Sequence, residues 1–409
     1  MSAPSSASQL PSLAFSKWRN LPNFMIGGGL LLCAIGVVVQ PTQFAYSWLL
    51  GFMFCLSFGV GAMFLVMAHH LFDASWSVGI RRFLEHMACL VFPWLAIFFL
   101  PIALLAPKIY KWMSLNPLHN HDLAAKWPLM TKPGFYLAAV LCFGVWWFLS
   151  SRLRFWSLKQ DQTGTALCTY RMRFHSYWGI FAFAVTLTLA AIMWMQALQF
   201  QWFSTMYGVY YFAGSVWVTL ATAYVIATMM DRQGLLGDTM GPEQYYYLGS
   251  LLFAFTVFSA YIHFSQYFII WNANMPEETF WYVWRQKGTW LAVGIVLIFG
   301  HFFIPFLSLL RIDVKLVSRF MFPLCIWIGL MQYVDLAFNI MPVLHPDGFA
   351  LRWVWLDAAC IALMAGVLIK VFLRDLQNAP TFPQKDPRLA EALGLYPEVP
   401  APHSEGGAR

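Results

Sequence analysis

Charged residues are scarce in this sequence: Asp, Glu, Lys and Arg together make up 11% of its 409 residues. A soluble globular protein carries roughly 25% charged residues. Hydrophobic residues make up 60% and aromatic residues 18%, which is typical of a chain that crosses a membrane several times. The formal net charge of +7 comes from residues between apolar runs, so it does not indicate nucleic-acid binding.

The sequence also lacks the residue spacings of metal and haem sites. Its seven cysteines stand singly, and no C-x-x-C or C-x-x-C-H motif occurs. This absence excludes the usual attachment motifs for iron–sulfur clusters and c-type haem. Although His119 and His121 are close in a polar loop, they are weak evidence for a metal. We therefore expect neither a metal site nor a redox cofactor bound by this chain.

Ten apolar runs are each long enough to span a hydrocarbon core of roughly 30 Å. They predict an all-α membrane protein with ten transmembrane helices in the segment 21–375. A polar segment, 1–20, precedes them, and a tail at 376–409 is expected to be disordered because it is rich in Pro, Gly, Ala and charge. Helices two to five (44–199) and six to nine (207–340) are expected to form two four-helix bundles, flanked by helices one and ten. The runs are 22–40, 44–72, 83–106, 134–151, 177–199, 207–230, 245–272, 288–310, 314–340 and 350–374.

The distribution of Lys and Arg predicts the orientation of the chain. An even number of helices places both termini on one side of the membrane. Most of the 25 Lys and Arg residues fall on that side, several of them in a basic loop at 152–176. The positive-inside rule therefore predicts that both termini are cytoplasmic. The long loop at 107–133 is then external, where we expect it to lie at the interface or to dock a partner.

The hairpin between the second and third apolar runs concentrates titratable residues. Asp73 stands four residues after His69, so on a helix its carboxylate can contact the imidazole ring. Arg81 and Arg82 suit an ordinary membrane face, and the whole stretch could be a solvated loop. Ionisable groups at the edge of the hydrocarbon are nevertheless costly, and they often mark proton paths. The inner half of a proton path is therefore predicted from His69, His70, Asp73, Glu85 and His86.

A second polar group lies inside helices seven to nine. Helix seven carries His263, helix eight carries His301, and helix nine carries Asp335. A buried ionisable group of this kind can load and release a proton. The alternative is a set of structural hydrogen bonds between helices, and this alternative also covers Gln266, Gln332 and Asn339. The outer half of the path is predicted from Asp335, His263 and Glu277, with His301 or ordered water as the bridge to the inner half.

Haem ligation by the intramembrane histidines is not favoured. A bis-histidine haem needs two imidazoles on facing helices at equal depth. Counted from the cytoplasmic ends of their helices, His263 and His301 differ in depth by several residues. The pair His69 and His86 is no better, because neighbouring carboxylates offer partners for both rings.

Three segments resemble a known family of membrane subunits. They are residues 267–278 (YFIIWNANMPEE), residues 69–76 (HHLFDASW) and the stretch 332–342. The first resembles the helix-seven signature of the two ten-helix subunits of alternative complex III, a bacterial quinol:electron-acceptor oxidoreductase. The other two, with the short length, point to the smaller of these two subunits. The resemblance covers roughly residues 20–375.

The resemblance implies a fold and a role. The family belongs with the polysulfide-reductase-type (NrfD-like) membrane anchors, which implies two four-helix bundles and no cofactor of its own. Partner subunits, a multihaem cytochrome c and an iron–sulfur protein, carry the haem c and iron–sulfur clusters, and a larger ten-helix paralogue completes the membrane part. The smaller ten-helix subunit is expected to take part in proton translocation in the bacterial cytoplasmic membrane. Binding of quinone, such as menaquinone, is left open, and no catalytic residue is assigned.

Two other functions fit ten helices with buried carboxylates. An independent proton-coupled secondary transporter usually interrupts helices with Gly or Pro at matched positions of its two halves. Pro93, Pro101 and Pro305 form no such matched pair, which favours the complex subunit. A purely structural membrane anchor, in which every polar group serves packing, is the third hypothesis.

Overall fold

The computed structural model describes residues 20–395, and within this range the secondary structure is helical without strands. Ten helices are long and apolar enough to cross a membrane. The prediction of an all-α membrane protein with ten transmembrane helices is therefore confirmed. The ten helices are α1 (Leu21–Val39), α2 (Pro41–Leu71), α3 (Ser75–Ile109), α4 (Lys132–Thr163), α5 (Ala166–Gln199), α6 (Tyr207–Asp231), α7 (Pro242–Ala273), α8 (Trp290–Leu309), α9 (Ser318–Val343) and α10 (Leu351–Gln377).

The centre of the molecule is the contact between α2 and α6. These are the most buried spans, with 83% and 72% of their most apolar windows inside the protein. Small residues allow the close approach: a Cβ atom added at Gly61 of α2 would lie 2.5 Å from the carbonyl oxygen of Ser215 of α6. Close packing at small residues is a main source of helix association in membranes.

The other helices pack around this central pair as two bundles. In the first, α3 and α5 pack on α2, and α4 packs on α5. In the second, α7 and α9 pack on α6, and α8 packs on both of them. The outer pair α1 and α10 pack closely together, and α10 contacts α2. Outward-facing side chains such as Phe24, Val38 and Phe181 are 76%, 83% and 75% exposed, which suits a surface in contact with lipid.

The two ends of the bundle differ in their connections. We use "terminal face" for the end with the connections 72–74, 164–165, 232–241 and 310–317 and the segment after α10. We use "distal face" for the opposite end, with the connections 110–131, 200–206, 274–289 and 344–350. The distal connections hold one another together, for example through Trp202 Nε1, which donates to the carbonyl oxygen of Glu278 at 3.1 Å.

Two parts of the terminal face differ from the sequence prediction. The basic segment 152–176 is not a loop, because α4 and α5 continue through it and meet at Gly164, which has a left-handed φ of 66°. Part of the tail is ordered: residues 378–395 pack against the terminal face, where Asp386 and Arg388 are buried. Composition predicted disorder for this segment, but its charges find buried partners. The rest of the tail lies outside the described residues, as does most of the segment 1–20.

Candidate proton-handling sites

The turn between α2 and α3 gathers buried charges that we call the hairpin cluster. Arg81 is at its centre: it forms an ion pair with Asp386, and its Nε lies 3.2 Å from Oε1 of Glu85. Arg82 lies 3.1 Å from the same Glu85 and pairs with Asp161 of α4. The members of the cluster are His69, Arg81, Arg82, Glu85, Asp161, Asp386 and Arg388.

The arginines of this cluster do not face the membrane. Arg81 and Arg82 are 1% and 0% exposed, so their interpretation as ordinary membrane-face residues is wrong. A buried charge is tolerated only when it is paired and hydrogen-bonded. Arg82 and Arg81 each donate to Ser157 of α4, at 2.9 and 3.3 Å, and Arg81 also donates to Gln160 at 3.1 Å. These buried polar bonds therefore help to hold the start of α3 against α4.

The segment after α10 completes the charge balance of the cluster. The Arg388 side chain donates to both carboxylate oxygens of Asp386, at 2.9 and 3.0 Å. Burial alone would raise the pKa of Asp386, but the guanidinium groups of Arg81 and Arg388 outweigh burial and lower this pKa well below its ordinary value. Asp386 is therefore a fixed negative charge at physiological pH. Sequence reasoning missed it because the tail has no apolar period.

The neutral form of His69 follows from its hydrogen bonds. Its Nδ1 lies 2.7 Å from Oγ of Ser77, whose hydroxyl is directed at the carbonyl oxygen of Ala74. Its Nε2 lies 3.4 Å from Nη1 of Arg81, a group that can only donate. Nδ1 therefore carries the hydrogen and Nε2 accepts. His69 is held as a neutral acceptor for Arg81, which is a structural role.

The structure does not bring all five predicted inner residues together. Asp73 lies beyond the end of α2, with a left-handed φ of 49°, so the helical spacing to His69 does not apply to it. It pairs instead with Arg173 of α5 and with Arg388, 3.3 Å away. The prediction of a contact between Asp73 and either neighbouring histidine is therefore wrong.

Two further histidines of the hairpin are buried and have ring nitrogens without hydrogen-bond partners in the described part of the chain. Neither ring nitrogen of His70 has a hydrogen-bond partner within residues 20–395, and the same is true of Nε2 of His86. The His70 ring packs edge-on against that of His69, with centroids 4.9 Å apart, and the His86 ring faces Phe372 of α10 at 6.2 Å. These rings lie near the hairpin cluster but do not join its hydrogen-bond network.

The second site, which we call the Asp335 cluster, lies between α6, α7 and α9. Oδ1 of Asp335 accepts a hydrogen bond from the Tyr210 hydroxyl and lies 3.1 Å from Nε2 of His263. Asn339, one turn along α9, donates to the Tyr210 oxygen at 3.0 Å and accepts from Tyr207 at 3.0 Å. The predicted proximity of Asp335 and His263 is present, and Asn339 lies on the same face of α9 as Asp335, as its spacing predicted. The two tyrosines carried no signal in the sequence.

The hydrogen bonds fix the proton count of this cluster. Nδ1 of His263 lies 2.6 Å from the carbonyl oxygen of Ser259, and a carbonyl oxygen only accepts, so Nδ1 carries a hydrogen. The opposite nitrogen, Nε2, then faces Oδ1 of Asp335. Without a proton, both of these atoms would be hydrogen-bond acceptors, so one proton must lie between them. The pair is therefore either imidazolium with carboxylate or imidazole with carboxylic acid. Either form binds one exchangeable proton within the membrane.

His301 of α8 belongs to the same site. Its ring centroid lies 5.2 Å from that of His263, and its ring stacks on Trp217 of α6 at 4.0 Å. The expectation that the two histidines differ in depth is therefore wrong. His301 lies in a π-helical segment, Leu297–Phe303, a feature frequent at functional sites. Haem ligation would still require His263 to give up Asp335, since both of its ring nitrogens face protein oxygens.

A cavity of about 590 Å³ opens beside this site, between α7, α8 and the short distal helix Pro276–Arg285. Most of its wall is apolar and aromatic, and Nε2 of His301, which helps to line it, has no hydrogen-bond partner among the described residues. Such a cavity, with a few convergent polar groups, is a typical small-molecule site. Its polar lining residues include Tyr210, His263, Gln266, Tyr282, Arg285 and His301.

Arg285 closes the distal end of this cavity. Its guanidinium donates to the carbonyl oxygens of Phe338 and Asn339 at 2.9 and 2.8 Å and stacks over Trp281 at 3.4 Å. Burial lowers the pKa of Arg285 to about 9, which leaves the group charged at neutral pH. Sequence reasoning placed Arg285 in a loop and did not single it out.

The remaining predicted polar residues have other positions. Glu277 is exposed near the start of the short helix Pro276–Arg285, so it is not part of the buried Asp335 cluster. Gln266 accepts from Ser204 at 2.9 Å and donates to Tyr282 at 3.2 Å, which matches the structural alternative. Gln332 is buried against Gly214 of α6.

The two sites are well separated along α2. Tyr211 of α6, next to Tyr210, donates to the carbonyl oxygen of Met53 at 2.8 Å, which marks the level of the Asp335 cluster on α2. His69 follows 16 residues later in the sequence, or about 24 Å at 1.5 Å per residue. The sequence-based proposal required His301 or ordered water to bridge this gap. His301 lies at the level of His263, so it does not bridge the gap.

Comparison with known proteins adds no family to these observations. No protein-family model and no curated protein matches the chain.

Proposed function

We propose that this chain is a membrane subunit of a respiratory quinol:electron-acceptor oxidoreductase of the alternative complex III type, and that it moves protons without a redox centre of its own. The observation that carries the proposal is the pair of His263 and Asp335, which binds one proton between two acceptor atoms 3.1 Å apart. The resemblance of residues 69–76, 267–278 and 332–342 to that family supports the choice of complex.

The cavity beside His263 suggests where a quinone would bind. Its aromatic wall suits a flat ring with an apolar chain, and its polar groups can hydrogen-bond to the ring oxygens. Oxidation of a quinol releases protons. His263 and His301 line the cavity, and Asp335 lies beside it. We expect these groups to accept the released protons. We include quinone, such as menaquinone, as a ligand of this chain on that basis.

The arrangement of irregular helices argues against an independent transporter. Interrupted helices at matched positions of two repeats are typical of secondary transporters. Here α3 is broken at Phe92, which has an extended backbone (φ −133°, ψ 132°), and α8 contains the π-helical segment Leu297–Phe303. α3 is the second helix of the first bundle, whereas α8 is the third helix of the second bundle. The two irregular segments are therefore not at matched positions. The resemblance of residues 69–76, 267–278 and 332–342 supplies the partners that we propose, which are a multihaem cytochrome c, an iron–sulfur protein and a larger ten-helix paralogue.

The test is proton release per electron in vesicles containing the purified complex. Asp335→Asn keeps the size of the side chain, and its amide can donate to Nε2 of His263, but it cannot hold an exchangeable proton. We expect fewer protons released per electron, with assembly and haem spectra unchanged. The matched control is Asp313→Asn, because Asp313 is exposed at the terminal face beside Arg311.

Two outcomes would overturn the proposal. Unchanged proton release and unchanged turnover in Asp335→Asn would leave the structural anchor as the better hypothesis. Purification of the chain without haem c or iron–sulfur proteins, together with proton-driven uptake of a solute, would favour the transporter.

A further inference from the structure

A third buried polar group lies at the distal face and includes none of the residues discussed above. Asp357 is 3% exposed and lies six residues into α10, about 9 Å along the helix from its start. Oδ1 accepts from Ser47 of α2 at 2.5 Å, and Oδ2 accepts from Tyr333 of α9 at 2.9 Å. The sequence did contain a signal, since this Asp interrupts an apolar run.

The hydrogen bonds continue from Ser47 to the distal surface. Gln43, one turn earlier on α2, donates through Nε2 to Oγ of Ser47 at 3.1 Å. Its Oε1 lies 2.6 Å from Nε2 of His345, in the connection between α9 and α10. We call this series of His345, Gln43, Ser47 and Asp357 the distal chain. Every bond in it can be donated in the direction of Asp357, because Oε1 of Gln43 only accepts.

The outer end of the distal chain faces a cavity of about 420 Å³ between the connection 344–350 and the start of α10. His345 lines it together with Asp347 and Arg352. Burial, and then the Arg352 guanidinium, lower the pKa of His345 below its ordinary value. A neutral imidazole both accepts and donates a proton, which is what the first member of a proton relay requires.

The ionisable surroundings of Asp357 are otherwise sparse. Tyr333 faces it from α9, and Cys360 stands one turn further along α10, 3.7 Å from Cys33 of α1. Towards the surface the charged and titratable groups are His345, Asp347 and Arg352. No arginine or lysine forms an ion pair with Asp357 within residues 20–395. Asp357 thus differs from Asp386, which two arginines hold ionised.

We propose that Asp357 is a second protonatable carboxylate of this chain and that it exchanges its proton with water at the distal face through the distal chain. The proposal deepens the proposed function, because it adds an access route for protons at that face. The proposed proton exchange takes place in the absence of turnover. It therefore requires neither quinol oxidation nor active partner subunits.

One proton enters the distal chain at His345, and one proton arrives at Asp357. Water at the cavity gives a proton to Nδ1 of His345, and the Nε2 hydrogen passes to Oε1 of Gln43. The amide becomes its imidic acid form as its Nε2 hydrogen passes to Oγ of Ser47, and the Ser47 hydrogen passes to Asp357. The reverse steps carry a proton from Asp357 back to water and return Ser47, Gln43 and His345 to their starting forms. No electron moves, and no covalent bond other than those to hydrogen changes.

Infrared spectroscopy of the purified full-length protein tests the proposal. A buried carboxylic acid gives a C=O band that shifts when its proton is exchanged for deuterium. We expect such a band within pH 4–9, absent in Asp357→Asn and retained in Asp335→Asn. After transfer into D₂O, Gln43→Leu should slow the shift of this band at least tenfold, because it removes the middle of the chain. Gln43→Glu, which can pass a proton, should exchange at least as fast as the natural protein.

Two results would overturn the proposal. If Asp357→Asn removes no carboxylic acid band across this pH range, Asp357 is a permanently ionised structural residue. If Gln43→Leu exchanges at the natural rate, the distal chain is not the route; Ser47→Ala, which breaks the next bond, checks this result where Gln43→Leu folds poorly. Both readouts are independent of turnover, so a failure here does not depend on the fate of the proposed function.

Discussion

Arg81 at the start of α3 and Asp386 after α10 form a buried ion pair across 305 positions of the sequence. The pair joins the first bundle to the last described segment of the chain. It also neutralises a guanidinium that is 1% exposed. The segment 378–395 is therefore part of the folded terminal face, and this ion pair is one of the contacts that hold it there.

The first prediction concerns this segment. Asp386→Ala should detach residues 378–395, because Arg81 and Arg388 would otherwise remain buried without their carboxylate, at a cost of about 3–5 kcal/mol. Hydrogen exchange of this segment should increase strongly while α10 stays protected. The control is Asp375→Ala, since the pair of Asp375 with Arg374 is largely exposed. Equal protection in both variants would show that the ion pair does not hold the segment.

The second prediction is the pH dependence of the same contact. Because the pKa of Asp386 is lowered in the folded protein, its contribution to stability is present above the ordinary pKa of Asp, about 4. It is lost only as the pH falls through the lowered folded value. Protection of 378–395, corrected for intrinsic exchange rates, should therefore be constant from pH 5 to 8. A loss of protection within that range would mean that a histidine of the hairpin controls the segment.

How far the sequence predicts this molecule depends on the kind of interaction. Ten long apolar runs were sufficient to predict the helices, since a bilayer imposes their length. Spacing along one helix predicted the buried set on α9 that includes Asp335 and Asn339. The partners of these residues come from other helices, so Tyr210 and the distal chain of Asp357 required the tertiary structure. Asp386 was missed because composition predicted disorder where distant charges provide order.

The third prediction tests the packing of α2 on α6. Gly61→Ala should destabilise the protein, because its Cβ would lie 2.5 Å from the main-chain oxygen of Ser215, so the two helices would have to move apart. Overpacking of this kind costs about 1–3 kcal/mol. Gly144→Ala is the control, since no atom lies within 4 Å of a Cβ there. Thermal unfolding can be followed with a thiol-reactive dye, because most of the seven cysteines are buried. Equal unfolding temperatures would contradict the close α2–α6 contact.

The fourth prediction is the orientation in the membrane. The excess of Lys and Arg on the terminal face predicts that this face is cytoplasmic. In intact cells, a membrane-impermeant thiol reagent should label His119→Cys, which is exposed at the distal face, before lysis. Gln162→Cys, which is exposed at the terminal face, should be labelled only after lysis. The opposite pattern would reverse the orientation.

The last prediction separates the hydrogen bond of the His263–Asp335 pair from its charge. Asp335→Asn should cost less than Asp335→Leu, because the amide nitrogen can donate to Nε2 of His263, and only the Tyr210 hydroxyl, which donates to the same oxygen of Asp335, loses its acceptor. Asp335→Leu should cost about 1–3 kcal/mol, because Nε2 of His263 and the Tyr210 hydroxyl lose a buried partner. Replacing both partners by apolar groups of similar shape is often nearly neutral. The double variant with His263→Phe should therefore recover part of that loss.

A double-mutant cycle on the unfolding free energies measures this coupling. We expect an interaction energy of at least about 0.5 kcal/mol between positions 263 and 335, a typical lower value for residues in contact. Asp313→Leu, at an exposed position, should be close to neutral and shows the effect of the substitution alone. Additive effects at the two positions would mean that no proton joins His263 to Asp335. The observation on which the proposed function depends would then be lost, whatever the result of the proton-release measurement.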